Sequence, residues 1–151
     1  MIQKPHFTRR AHGQSMVEFA VSITVLFILI AGIVDLSRLA FYYMSMQDAA
    51  QEGAVYGVAY PTHCDQIEDR VRSAMTGDTS VNITVKVNGV ACQSASLATD
   101  ACSGKELSVE VTQPNFPVTM PFLGTFLGKQ NLSMTTIQKD TILRPLCSGG
   151  S

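Results

Sequence analysis

Glu18 stands beside a long apolar run, and a carboxylate in that position needs a partner. Phe19 to Val34 is sixteen residues without a charge, and counting from Met16 gives nineteen of which only Glu18 is charged. A carboxylate in a membrane-spanning segment costs roughly 2.5–3.5 kcal/mol on insertion scales. The chemistry open to it is ion pairing. Arg9 and Arg10 are the nearby cations, and a cut after Gly13 would add a new amino group on Gln14. Gln14 and Glu18 are four residues apart and share one face of a helix, so the new ammonium could meet the carboxylate of its own chain or of a neighbour.

Other reactive side chains are few. Four cysteines, Cys64, Cys92, Cys102 and Cys147, all follow the apolar run. In an oxidising compartment an even count points to disulfides, with three possible connectivities. We expect Cys92 with Cys102, closing the polar excursion between them, and Cys64 with Cys147, tying the head's first helix to the tail. The first pair would close a loop of about ten residues, contributing roughly 2–3 kcal/mol. Zinc is the competing reading, but there is no Cys-x-x-Cys, and His63 beside Cys64 is one potential ligand pair without a second. No metal or other cofactor is expected. His6 and His12 precede the apolar run, leaving His63 as the one histidine after it, and no nucleophile elbow, phosphate-cradling glycine loop or paired-carboxylate motif is present. The chain reads as a non-enzyme.

The elements that must position these residues begin with the run itself. Its length is close to the ~20 residues of a spanning helix. Lys4, Arg9 and Arg10 all precede it, and basic flanks stay cytoplasmic, so everything after about Asp35 should face away from the cytoplasm. A cleaved secretory signal is the alternative, yet no small-residue cleavage site closes the run. Asp35 and Arg38, three apart, suit a solvated pair at the membrane boundary. Phe41, Tyr42 and Tyr43 suit either an aromatic belt or core contacts. Ala49, Gly53 and Gly57 form a small-residue stripe that lets another element approach closely, and Pro61 ends the helix.

The remainder reads as a small α+β head. Asp65 is placed to cap a helix through about Thr76, with Ile67, Val71 and Ala74 on one face and Gly77 as the stop. Residues 81–87 and 107–111 alternate apolar and polar as strands with one buried face do, and 132–139 is a third, noisier candidate. Three antiparallel strands would pack on the spine. Residues 114–128, PNFPVTMPFLGTFLG, are either a core-covering loop or a contact surface. The tail beyond Pro145 ends in SGGS and is expected to fray. No basic stripe suggests nucleic acid.

Cleavage after a glycine, with glutamate fifth in the product, resembles a type IV prepilin signal. GQSMVEFAV from Gly13, DLSR at 35–38, DAAQEGAVYG at 48–57 and FPVTMPFLG at 116–124 together resemble the TadE-like minor pilins of tight-adherence (Tad/Flp) pili. That resemblance implies a leader of residues 1–13 cut by a prepilin peptidase between Gly13 and Gln14. It implies an anchor and spine helix over 14–60 with its membrane part at about 16–35, a type IV pilin-like head over 61–147 and a flexible tail over 148–151. It further implies an inner-membrane location with the amino terminus in the cytoplasm, and Glu18 with Phe19 as assembly residues. The partners it implies are the major Flp-type pilin, other minor pilins, the inner-membrane assembly platform and membrane lipid, in the service of pilus biogenesis and adhesion. From Gln14 onward there are eight Lys or Arg against twelve Asp or Glu, a formal charge of minus four. The other reading is an uncleaved bitopic protein with an extracytoplasmic binding head.

Overall fold

The computed structural model describes residues 12–75, 80–96, 99–118, 128 and 131–144. Its dominant element is α1, His12–Ala59, a single helix of 48 residues and thus about 70 Å long. The helix has two halves in different surroundings. None of its most apolar 18-residue window is buried against the rest of the protein, and Phe19, Phe27, Ile33 and Leu36 are all exposed. This half is long and apolar enough to cross a membrane. From Tyr42 onward the helix packs on the head, burying Met46, Ala49, Ala50, Gly53, Ala54, Gly57 and Val58, the three-and-four spacing of one buried face.

Two of those positions admit no side chain without displacement. A Cβ on Gly53 would collide with Cγ2 of Val71, and one on Gly57 with the Leu107 side chain and Ile67. The stripe therefore receives two elements at once, α2 (Cys64–Ala74) and the central strand β3 (Glu106–Pro117). Each glycine costs about 1 kcal/mol of helix propensity relative to alanine, and the close packing offsets it.

Helix α2 departs from expectation at both ends. His63 occupies the cap position and makes no side-chain capping bond, while Asp65 lies in the first turn, where a carboxylate suits the helix dipole. Ile67 and Val71 are fully buried, but Ala74 is exposed and Met75 completes the face instead. Gly77, the expected stop, lies outside the described residues.

The sheet has four antiparallel strands in the order β2-β1-β3-β4, one more than expected. Strand β1 (Asn82–Val87) turns through Asn88 and Gly89 into the two-residue β2 (Val90–Ala91). Both turn residues have positive φ, 52° and 80°, as a type I′ hairpin turn requires. Strand β3 is longer than the 107–111 of the sequence reading, and β4 runs Asn131–Thr141. Leu107, Val109, Val111 and Gln113 point inward along β3. The pairing with β4 then slips by one, from Gln113↔Met134 to Phe116↔Leu132. An extra residue at this bulge resets the alternation so that Phe116, not Asn115, is buried. It also accommodates Pro114, which has no N–H to give to a ladder. On the outer face Lys139 pairs with Glu106 at 3.0 Å and Lys86 with Glu110 at 3.8 Å. After β4 the chain returns to the spine, with Ile142 fully buried and the Leu143 N–H donating to the Val58 carbonyl.

The disulfide connectivity is a correction. Cys64 is bonded to Cys92, with Cα atoms 5.8 Å apart, which excludes both Cys92–Cys102 and Cys64–Cys147. The β1–β2 hairpin brings Cys92 back beside the start of α2, a proximity invisible without the turn. Cys102 is also disulfide-bonded; Cys147 lies outside the described residues, as do leader residues 1–11, the tail and residues 119–127 of the apolar connection.

Two expectations follow. Gly53→Leu should lower the melting temperature of the head sharply through overpacking, about 1–3 kcal/mol or more. Val55→Leu, on the exposed face two residues away, should stay within about 0.5 kcal/mol of the parent. Equal behaviour of the two would contradict the seam. Non-reducing peptide mapping should recover a Cys64–Cys92 peptide pair. Because that bond closes a separation of 28 residues, its loss in the double serine variant should cost roughly 3–4 kcal/mol, read by denaturant melts.

Candidate functional site

The candidate assembly residues occupy the first two turns of α1. Gly13 has open space where a Cβ would be. Gln14, Glu18 and Phe19 are exposed, and among the described residues nothing forms an ion pair or hydrogen bond with the Glu18 carboxylate. Neighbouring hydroxyls are treated differently. Thr24 Oγ1 donates to the Ala20 carbonyl and Ser37 Oγ to the Ile33 carbonyl, both at 2.8 Å, so these polar groups are satisfied by the helix's own backbone. A carboxylate cannot do that, because it has no proton to give and the helix's N–H groups are already engaged.

A second locus lies seventeen residues further along α1. Asp35 is half-buried, and together with Arg38 it lines a cleft of about 250 Å³ between α1 and the lower end of the β3–β4 pair, walled by Gly32, Leu39, Phe116 and Leu132. Asp35 Oδ2 is buried without a hydrogen-bond partner among the described residues. The solvated-pair reading of Asp35 and Arg38 therefore gives way: one member is partly enclosed. The aromatic trio that follows is split. Tyr42 packs on Phe116 at 5.2 Å between ring centroids, whereas Phe41 is 76% exposed.

Behind that contact sits a polar knot. Gln113, buried on β3, donates from Nε2 to the Tyr42 hydroxyl at 3.1 Å and to Ser80 Oγ at 2.8 Å. Sequence reasoning missed Gln113, although extending the alternation of Leu107, Val109 and Val111 by one step would have turned it inward. Near the end of α1 an exposed aromatic ladder forms, Tyr56 on Tyr60 and Tyr60 stacked on His63. Arg70 lies over the Tyr56 ring at 5.1 Å and within 3.6 Å of Glu52, and the Tyr56 hydroxyl donates to Gln66 Oε1. Among the described residues no cluster of three His, Cys, Asp or Glu could hold a metal.

Asp100 organises the loop before Cys102. Its carboxylate accepts from the Ser96 N–H at 2.9 Å and from Asn88 Nδ2 at 3.4 Å. The Ser96 bond first, then Asn88, favours the charged form and holds its pKa below the ordinary carboxylate value.

The protein is thus a long exposed apolar helix that becomes the spine of an α+β head. Within it, residues 13–55 match the family model described as TadE-like protein. Over that stretch, which runs from Gly13 into the packed seam and does not reach the head, the chain resembles a family of structural, non-enzymatic proteins associated with Tad pili. No curated protein and no solved structure matches it.

The Asp100 bonds carry a pH dependence of defined sign. Because the folded pKa is lowered, the stabilisation is present above about pH 4 and is lost as pH falls through the folded value. Relative to its intrinsic rate at each pH, exchange of the Ser96 amide should therefore accelerate as pH falls below about 4 in the parent and lose that extra acceleration in Asp100→Ala. An unchanged profile in the variant would contradict this role.

Proposed function

We propose that this protein is a minor pilin of a Tad-type pilus, cut after Gly13 by a prepilin peptidase and then held in the inner membrane by α1 with its head outside the cytoplasm. From there it joins other pilins and the assembly platform in building the filament that mediates adhesion. The observation that carries the reading is where the family match falls. It covers Gly13 to Val55, and its first half lies on the part of α1 that the head leaves exposed. A sequence pattern that the chain's own core does not require serves something outside the chain. For an apolar helix those outside surroundings are lipid and other helices.

In this reading Glu18 is the assembly contact. Inside a bundle of apolar helices its carboxylate is costly alone and favourable beside an ammonium. Cleavage supplies that ammonium one helical turn away on each subunit. Phe19 adds an exposed aromatic surface beside the pair. The spine's distal half is occupied by its own head through Gly53 and Gly57, so contacts between subunits fall to the apolar half.

Glu18→Ala should be processed at Gly13 like the parent but be depleted from sheared pili or from pilin complexes captured in the membrane. Gly13→Leu should accumulate uncut. Normal incorporation of Glu18→Ala, measured by immunoblot of sheared and membrane fractions, would remove the pairing role.

A further inference from the structure

We propose that the cleft between α1 and the base of the β3–β4 pair is a binding site for the headgroup of a primary-amine phospholipid, of the phosphatidylethanolamine type, from the leaflet on the head's side. The inference rests on α1 lying in a bilayer and not on cleavage at Gly13. Three observations converge on it.

The first is depth. The uncharged run ends at Val34, and the cleft is lined by the next residues along the helix, Asp35, Arg38 and Leu39, with Gly32 below them. With the run in hydrocarbon, this level of the helix lies among lipid headgroups. What stands beside the cleft mouth is therefore phospholipid.

The second is charge. Asp35 and Arg38 are one turn apart and both line the cleft. A zwitterionic headgroup carries an ammonium and a phosphate within a few bonds of each other: the ammonium suits the carboxylate, and although Arg38 already has an interaction within the protein, the five N–H donors of a guanidinium leave room for a phosphate beside it.

The third is the unsatisfied acceptor. Asp35 Oδ2 is buried and lacks a hydrogen-bond partner among the described residues, and a buried carboxylate oxygen calls for a donor. A primary ammonium brings three N–H donors. A quaternary choline brings none, and a phosphatidylglycerol headgroup brings net negative charge to a carboxylate. The site therefore selects by donor count and by charge. Its volume of about 250 Å³ corresponds to roughly eight waters in the liquid, room for a small headgroup and the start of an acyl chain against Phe116 and Leu132. The lipid would bridge spine and sheet at the membrane surface and fix the height of the head.

The test is native mass spectrometry of the full-length protein in mild detergent, offered equimolar phosphatidylethanolamine, phosphatidylcholine and phosphatidylglycerol with identical acyl chains. The expected result is several-fold preferential retention of phosphatidylethanolamine by the parent, with Asp35→Asn bringing its ratio to phosphatidylcholine near one. Leu132→Trp, which fills the cleft without touching the charges, should abolish retention; retention of the Cys64–Cys92 bond and an unchanged far-ultraviolet spectrum would report an intact fold for each variant. Equal retention of all three lipids, no retained lipid, or a preference that survives Leu132→Trp would overturn the proposal. Alkaline carbonate extraction of the membranes, before any detergent is added, separates this from the anchor itself: a protein released by carbonate would contradict membrane insertion rather than the headgroup site.

Discussion

The close approach of α2 and β3 to the spine at Gly53 and Gly57 is the contact on which the other features rest. A Cβ at either glycine would meet Val71, Ile67 or Leu107, and those three side chains are themselves fully buried. Because the seam accepts a helix and a sheet on adjacent turns, the head is fastened to one half of α1 only. Among the described residues the other half is left uncovered, with its apolar side chains exposed. The return of the C-terminal end of β4 to Val58, and the Cys64–Cys92 bond beside the end of the spine, close the head around the same few turns.

Two surroundings along one helix explain the placement of its polar residues. Thr24 and Ser37 are short enough to bond to the carbonyl one turn back, so their hydroxyls are satisfied without solvent. Glu18 cannot do so, and a costly group retained in an apolar helix is a functional hypothesis by default. Asp35 and Arg38 stand where the apolar half meets the head, and Tyr42 begins the packed half through Phe116 and Gln113. The transition from uncovered apolar surface to head-facing surface thus takes place over about two turns of helix.

Much of this was legible in the sequence, and the misses share one cause. The apolar run, the helix end at Pro61, the alternating strands and the Ala49–Gly53–Gly57 stripe are local patterns, and local patterns survive without tertiary knowledge. The cysteine pairing did not, because Cys92 reaches Cys64 only after the hairpin turns at Asn88 and Gly89. That dipeptide after an alternating strand is itself a strong hairpin signal; given its weight, it would have added β2 and made the short Cys92–Cys102 loop less attractive. Phe116 was ambiguous because the bulge after Gln113 breaks the alternation, and a one-residue shift in phase cannot be read from one strand alone. The burial of Asp35 depends on the base of the β3–β4 pair lying against the spine, which no spacing within α1 encodes.

Processing at Gly13 is the central claim, since the cut would create the ammonium proposed to pair with Glu18. The direct measurement is the amino-terminal residue of the full-length gene product recovered from membranes of cells with an active prepilin peptidase. A start at Gln14 is the predicted result, and it should revert to an uncut terminus when the peptidase is removed. A start at Met1 or Ile2 in the presence of the peptidase would contradict the account and leave a permanent single-span anchor whose function lies in the head.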